Sequence, residues 1–334
     1  MDQLLSGLKA AAEVTRLRLV ALLARAELTV TEVTQILGQS QPRVSRHLKL
    51  MVEAGLVERY QEGTWAFYRL ADRGPGAALA AGLKQLIPHD DLTISRDFAR
   101  LDSVLAERAT QAQDYFAAHA AEWDELRQLH VSDETVERVM LDALKDFGGD
   151  ERVGDLLDIG TGTGRIVEIF APYFDRGIGI DLSADMLAVA RVNLEKAGID
   201  NVQIRRGDLY ALPFADDSFD VVSVHQVLHF LDNMPAALGE AARVLRPGGV
   251  MLIADFAPHQ LEFLRTEHNH RRLGFTDDEV SEAMKQVGLM PRAPQKMRAP
   301  KQNNADSLTV TLWQGIRDDE QLADRTSHNK TDAV

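Results

Sequence analysis

The spacing of apolar residues changes twice along this chain. Through residues 1–70 they fall at helical intervals in several short stretches, then alternate in VERYQEGTWAFYRL. That pattern predicts short helices followed by a hairpin around a Glu62-Gly63 turn. A Gly-Pro-Gly turn in ADRGPGAALAAG (71–82) and a second break, IPHDD (87–91), come next. From Ser95 to Leu129, Phe98, Leu101, Leu105, Ala109, Ala112 and Phe116 recur at intervals of three and four, the stripe of one or two long amphipathic helices. From Val153 onward the runs VGDLLDI, GIGID, VQIRR, FDVVSV, GVMLIADF and SLTVTLW are short and β-rich, with helical stretches between most of them. Such alternation predicts an α/β architecture, a mostly parallel sheet with helices on both faces. Beyond Arg317 the sequence is polar and aperiodic, and disorder is expected there. The pattern divides the chain into residues 1–75, a helical linker and dimer region at 76–130, a domain at 131–317 and a tail at 318–334.

With 334 residues, 45% hydrophobic and 26% charged, the chain suits two ordinary globular domains. It has no apolar run of the ~18 residues that a membrane span needs. Its first residues are apolar but broken by charge, without a cleavage site, so a cytoplasmic protein is expected. The absence of cysteine excludes disulfides, thiolate metal sites and a cysteine nucleophile. Without thiols or a His-Glu-x-x-His pair, no metal is expected. The net charge of −14 argues against nucleic-acid binding over the whole surface, yet it is unevenly placed. Residues 1–75 hold ten Lys and Arg against eight Asp and Glu, a local +2 that leaves −16 for the rest. Any DNA contact must come from a patch in that first segment.

Thr29-x-x-Glu32 is a capping-box pattern opening one helix, which Gly38 ends. Ser40 stands where it can cap the next helix, Pro42 falls in its first turn, and Gly55 closes it. On that second helix Val44, Leu48, Met51 and Val52 share a face, while Arg43, Arg46 and Lys49 project from the other. Ser40–Leu50 contains no acid. A recognition helix needs that composition, cations for phosphates and polar tips for base edges in the major groove. A solvated basic face on a packing domain is the plainer alternative. The candidate DNA contacts are Ser40, Gln41, Arg43, Ser45, Arg46, His47 and Lys49, with the hairpin as a wing. The run QPRVSRHLKLMVEAGLVERYQEGTWAFYRL resembles the core of the arsenic-repressor-type (ArsR) winged-helix regulators, over about residues 5–72. That resemblance implies a homodimer on a palindromic double-stranded DNA operator. Many such regulators sense metals through cysteines on the helix before the recognition helix, or through His/Asp pairs on the last helix. Here TVTEVTQILG has no thiol and the helix after the wing has no paired ligands, so the effector is expected in the second domain.

LLDIGTGTGRIVEIF reads as strand, glycine-rich turn and helix. Gly160, Gly162 and Gly164 let the backbone approach a ligand closely, and a helix N-terminus adds a positive dipole. Asp181 ends the next strand, at the spacing where an acid takes ribose hydroxyls. A dinucleotide fold is the rival, but it wants G-x-G-x-x-G and residue 165 is Arg. Asp158 precedes the loop, and Gly207-Asp208-Leu209 follows the third strand. FDVVSVHQVLHFL places a turn at the ligand-facing end of the fourth strand, and VLRPGGVMLIADF supplies a Pro-Gly-Gly turn and another strand. In order and spacing this set resembles the class I S-adenosylmethionine (SAM)-dependent methyltransferases over about residues 115–315, most of all the ubiquinone and menaquinone branch. The resemblance implies a Rossmann-like SAM-binding domain with a mostly parallel seven-stranded sheet, preceded by an α+β winged helix-turn-helix domain. By it, Asp158, Gly160, Thr161, Gly162 and Gly164 cradle the methionine part, and Asp181 beside Leu182 takes the ribose. Met186 packs on adenine, Asp208 and Leu209 read its edge, and His225 with Gln226 line the sulfonium.

The methyl group of SAM is already activated, so a transferase mainly aligns the acceptor and excludes water. A general base helps only an acceptor that must lose a proton. Candidates are His225 and His229 in HQVLHF, and His259, His268 and His270 in APHQLEFLRTEHNHRRLGF; each is as readily a hydrogen-bonded structural residue. Arg271 and Arg272 would suit an anionic acceptor. DNA amino-methylation is set aside because HQVL replaces the (Asn/Asp/Ser)-Pro-Pro-(aromatic) motif after the fourth strand, and cytosine-C5 and arsenite methylation because both need cysteines. A small-molecule acceptor remains. Two functions compete, a regulator carrying a working methyltransferase and a sensor in which SAM or its product S-adenosylhomocysteine (SAH) shifts DNA affinity without turnover. In either, the helix over 95–129 is expected to connect the domains and extend the dimer interface.

Overall fold

The computed structural model describes residues 1–62, 65–88, 90–108, 110, 132–149, 151–268, 270–298 and 308–318. They form two compact units, Met1–Gln113 and Asp114–Val334.

In the first unit, α1 (Asp2–Ala11), α2 (Val14–Leu23), α3 (Val30–Leu37), α4 (Gln41–Glu53), α5 (Ala77–Leu86) and α6 (92–108) accompany three short strands. These are β1 (Leu28–Thr29), β2 (Val57–Glu62) and β3 (Trp65–Leu70), in the order β1-β3-β2. The capping box on α3 is formed: Thr29 Oγ1 accepts the Glu32 N–H, and the Glu32 carboxylate takes the Thr29 N–H at 2.7 Å. Gly38, at φ +63°, ends that helix. Ser40, in contrast to expectation, makes no side-chain cap on α4. An N-cap side chain accepts from the second or third helical N–H. The second position here is Pro42, which has none, and the third N–H, Arg43, is taken by Ser40's own carbonyl at 3.0 Å. The far end of α4 closes as a Schellman motif, with Leu56 N–H on the Met51 carbonyl, Gly55 N–H on that of Val52, and Gly55 at φ +71°. The strands β2 and β3 pair from Val57↔Leu70 to Glu62↔Trp65; the wing turn expected between them lies outside the described residues. One core joins Leu19, Leu22, Ile36, Leu48 and Met51 to Phe98 and Leu101 of α6. Paired arginines fix α6 further: Arg18 holds Asp97 at 2.6 and 2.7 Å, and Arg108 grips the Glu32 carboxylate at 2.8 and 2.9 Å. The rest of the expected long helix, residues 111–129, lies outside the described residues.

The second unit is a three-layer αβα stack. Its sheet runs β10-β11-β8-β7-β4-β5-β6, built from β4 (Val153–Ile159), β5 (Phe174–Asp181), β6 (Val202–Arg206), β7 (Phe219–His225), β8 (Leu245–Phe256), β10 (Gln295–Arg298) and β11 (Thr309–Arg317). The short β9 (Leu289–Pro291) pairs with β11 too, beyond β10 along the same edge, so two segments share the seventh position. From β4 to β8 the neighbours are parallel, while β9, β10 and β8 are each antiparallel to β11. This is the mostly parallel sheet that the sequence pattern predicts. One face packs under α7 (Asp133–Gly148), α8 (Arg165–Phe170) and α9 (Ala184–Ala197), and the other under α10 (Met234–Val244) and α12 (Asp277–Gln286). A short α11 (Phe263–Glu267) follows β8. The chain moves outward through β4, β5 and β6, then returns to set β7 on the other side of β4. The carboxyl ends of β4 and β7 therefore flank a topological switch point, where open α/β sheets bind ligands.

No described helix is long and apolar enough to cross a membrane.

Candidate functional site

Strand pairing sets Asp158 of β4 opposite Ser223 of β7, and the Ser223 hydroxyl donates to its carboxylate at 2.7 Å. Asp158 is 1% exposed. Burial, reinforced by the negative charge of Asp181, pushes its carboxyl up to about 6 despite that hydrogen bond. The loop that follows needs its glycines for different reasons. Gly160 has φ +69°, and a Cβ there would lie 2.2 Å from Val227 Cγ2. Gly162, at φ +53°, faces open space, with no atom nearer to a Cβ than 4.0 Å. The Thr161 N–H ties the loop to β5 through the Ile180 carbonyl at 2.8 Å. Asp181 binds the loop to the start of α9, accepting Gly162 N–H at 3.0 Å on one oxygen and Ser183 N–H at 2.8 Å on the other. Each oxygen keeps acceptor capacity for a hydroxyl. Because α8 has only six residues, its dipole is short, and close backbone approach is what the loop chiefly offers. Around it, Leu182 is 56% exposed, Met186 is half-buried, Leu209 is buried, and Asp208 is exposed with its carboxylate on the Tyr210 N–H. These residues gather at the carboxyl ends of β4, β5 and β6. An open glycine loop, acids at two depths and apolar faces fit a nucleoside joined to an amino acid.

On the other side of the switch point, His225 ends β7 and the next residue is strained. Gln226 has φ +54°, its N–H donates to the Ala254 carbonyl at 2.7 Å, and its side-chain nitrogen is buried without a hydrogen bond. Such left-handed strain in a non-glycine residue concentrates at functional sites. A 3₁₀ turn, Leu228–Phe230, then buries His229 with Nδ1 2.8 Å from Asp255 Oδ1. Burial alone would raise the Asp255 pKa. The His229 charge and hydrogen bond, with N–H groups of Phe256 and His229, outweigh burial and hold it low. His270 stacks on His229 with centroids 4.1 Å apart, and burial, then the His229 charge, drives it down to about 3. His259 is lowered by the same two causes.

Arg271 and Arg272 both donate backbone N–H groups to the His229 carbonyl, at 2.9 and 3.1 Å. Arg271 pairs with Asp232 at 3.0 Å and Arg272 with Glu279, all on the surface, where carboxylates already neutralise them. His225 and His229, four residues apart, are divided between a strand end and a 3₁₀ turn. Among the described residues, no group of three His, Asp or Glu could hold a metal. Sequence reasoning missed Ser223 and Asp255. The available signal was a polar residue within an otherwise apolar run, VVSV or MLIADF, which must find a partner when buried.

On α4, Val44, Leu48 and Met51 face the core while Val52 is half-buried. Ser40, Gln41, Arg43, Arg46 and Lys49 are exposed and Ser45 is half-buried. Lys49 leans toward Glu53 at 3.8 Å on the same helix. His47 instead turns inward, its Nδ1 3.7 Å from Glu13 and 3.5 Å from Arg16 of α2, and burial lowers its pKa. It braces α4 against α2.

Residues 13–59 match the arsR family of bacterial regulatory proteins, and residues 157–253 match a methyltransferase domain. The chain is 38% identical over 104 residues to the uncharacterized methyltransferase YcgJ of Bacillus subtilis, covering 31% of this chain and 41% of that protein. It is 34% identical over 155 residues to the ubiquinone/menaquinone biosynthesis C-methyltransferase UbiE of Dinoroseobacter shibae, covering 45% and 61%. It is also 34% identical over 157 residues to an arsenite methyltransferase of Aquipseudomonas alcaligenes, covering 38% and 45%. In each case the match spans less than two thirds of the relative's length. The chain joins an arsR-family helix-turn-helix DNA-binding segment to a methyltransferase domain of the SAM-dependent family.

Proposed function

We propose that this protein is a DNA-binding transcriptional regulator whose second domain binds SAM and transfers its methyl group to a small molecule. The observation that carries the reading is the Gly160–Gly164 loop, open at Gly162 and tied to the Asp181 carboxylate. In it, Asp158, Gly160, Thr161, Gly162 and Gly164 hold the methionine end, and Asp181 with Leu182 holds the ribose. Met186, Asp208 and Leu209 would surround adenine, and His225 with Gln226 would line the sulfonium. SAM supplies an electrophilic methyl; the protein's part is to orient it and exclude water. Acceptor chemistry falls to the side of the site that holds His229 and His270. Arsenite is a poor candidate acceptor for a chain without cysteine, although one relative bears that activity in its name. Exposed Arg43 and Arg46, with Ser40, Gln41, Ser45 and Lys49, would meet operator DNA, in a homodimer as the winged-helix resemblance implies.

Fluorescence anisotropy on DNA from the protein's own promoter, with SAM, with SAH and with neither, tests this reading, alongside direct measurement of SAH binding. Affinity that differs between the ligands makes the protein a reader of methylation state. Absence of SAH binding would sink the proposal.

A further inference from the structure

A second cluster lies beside the residues assigned to SAM. His229 comes from the turn after β7, and His259, His268 and His270 from the stretch after β8, with Phe230 and Phe256 packed among them. The rings lie face to face or tilted: His229 to His270 at 4.1 Å, His229 to Phe256 at 5.0 Å and Phe256 to His270 at 5.9 Å. Three of these histidines each have a buried ring nitrogen without a hydrogen bond, Nε2 of His259, Nε2 of His268 and Nδ1 of His270. His270 is only 5% exposed. Leaving a buried polar atom unpaired is costly, so several in one aromatic cluster suit a bound molecule that completes the hydrogen bonding.

The chemistry of the cluster narrows what that molecule is. Burial lowers the pKa of His259 and His270, and Arg271 and Arg272 are paired with Asp232 and Glu279, so among the described residues an anion meets no unpaired arginine here. An aromatic surround suits a planar molecule. His229 has a separate part. When its ring is neutral, Nδ1 carries the proton toward Asp255 and Nε2 is left as a proton acceptor. Asp255 touches no reacting atom and is a positioning residue.

We infer that this cluster is the acceptor subsite, that it takes an uncharged planar molecule bearing a ring hydroxyl, and that Asp255 positions His229 to receive the hydroxyl proton. This rests on the SAM reading above. The acceptor oxygen forms its new bond to the methyl carbon as the carbon–sulfur bond breaks and its electron pair returns to sulfur. The hydroxyl proton passes to His229 Nε2, and Asp255 stabilises the resulting imidazolium. A methyl ether and SAH result, and the proton leaves to solvent.

4-Nitrophenol is the probe, because its coloured phenolate reports its own proton loss. In the full-length protein saturated with SAH, the probe should ionise about one pH unit lower than in free solution, a tenfold shift in the equilibrium. His229→Gln and Asp255→Asn should each remove the shift while leaving SAH affinity within about twofold, since neither stands in the SAM cradle. His270→Phe, which keeps a stacked ring but no nitrogen, should weaken probe binding severalfold. If Asp255→Asn does not fold, the wild-type titration and His229→Gln decide. A wild-type protein that binds SAH yet leaves the probe's titration unchanged overturns the inference, as does a shift that survives His229→Gln. Failure to bind SAH would instead remove the cofactor reading on which the inference stands.

Discussion

At the scale of the residue, two buried ionisable groups make opposite demands on pH. Asp158 has its pKa raised from 3.8 to about 6 by burial, so the folded state holds its proton more tightly than the unfolded chain. Its contribution is favourable below about pH 4 and is lost as pH rises through about 6, on the order of 2–3 kcal/mol. Asp158→Asn should therefore stabilise the ligand-free protein at pH 7.5, converge with wild type near pH 4, and weaken SAH binding. Native-state hydrogen exchange of β4 amides at the two pH values, with SAH titrations, checks all three. His270 works in the other direction. Its pKa falls from 6.5 to about 3, so its contribution is present above pH 6.5 and is lost on acidification toward 3. His270→Phe should flatten the loss of stability in that acidic window, read by urea unfolding across pH. Neither shift was legible in the sequence, because both arise from neighbours that strand pairing and the 3₁₀ turn bring together. Asp158 could be singled out by its place before a glycine loop. Its partner Ser223, sixty-five positions away, could not.

Elements carry constraints that no single side chain reveals. Gly160 combines a left-handed backbone with a neighbour that a methyl group would strike, Val227 Cγ2. Gly160→Ala should abolish SAH binding by calorimetry, and Val227→Ala in the same chain should relieve the clash without restoring the φ, giving only partial recovery. In the first unit Glu32 serves two elements, capping α3 through Thr29 and receiving Arg108 from α6. Glu32→Ala should therefore destabilise that unit more than Arg108→Ala does, by ~1–2 kcal/mol, seen as faster amide exchange in α3. The capping box, the helix ended by Gly38 and the long strands were readable from local signals and from period-two or 3.6 spacing. The Ser40 cap failed because Pro42 removed one donor, a cost that the motif pattern does not weigh. The strands β9 and β10 escaped notice because three or four residues with Pro291 and exposed lysine and arginine have no alternation to detect.

Over the whole molecule, charge is unevenly divided. The segment 1–75 is locally positive in a chain of net −14, so DNA affinity should fall steeply as salt rises. Arg46→Ala should weaken DNA binding by about 1 kcal/mol or more with SAH binding unchanged, and Asp181→Ala should do the reverse, with anisotropy and calorimetry run on the same preparations. Loss of both activities in both folded variants would refute the division into modules. That division was legible from the change in hydrophobic period and from two unrelated motif sets, whereas the reach of α6 into the first unit's core was not, because its stripe looks the same whichever surface covers it. The outer strands of the large sheet carry a last consequence. On one side β6 is five residues long and ends in Arg205-Arg206, and on the other β9 and β10 are broken by Pro291 and Pro294. Neither edge offers a long, flat, uncharged row of backbone groups, the template on which misfolded chains add to one another as fibrils. A sheet guarded in this way resists aggregation while it folds, whatever ligand it later binds.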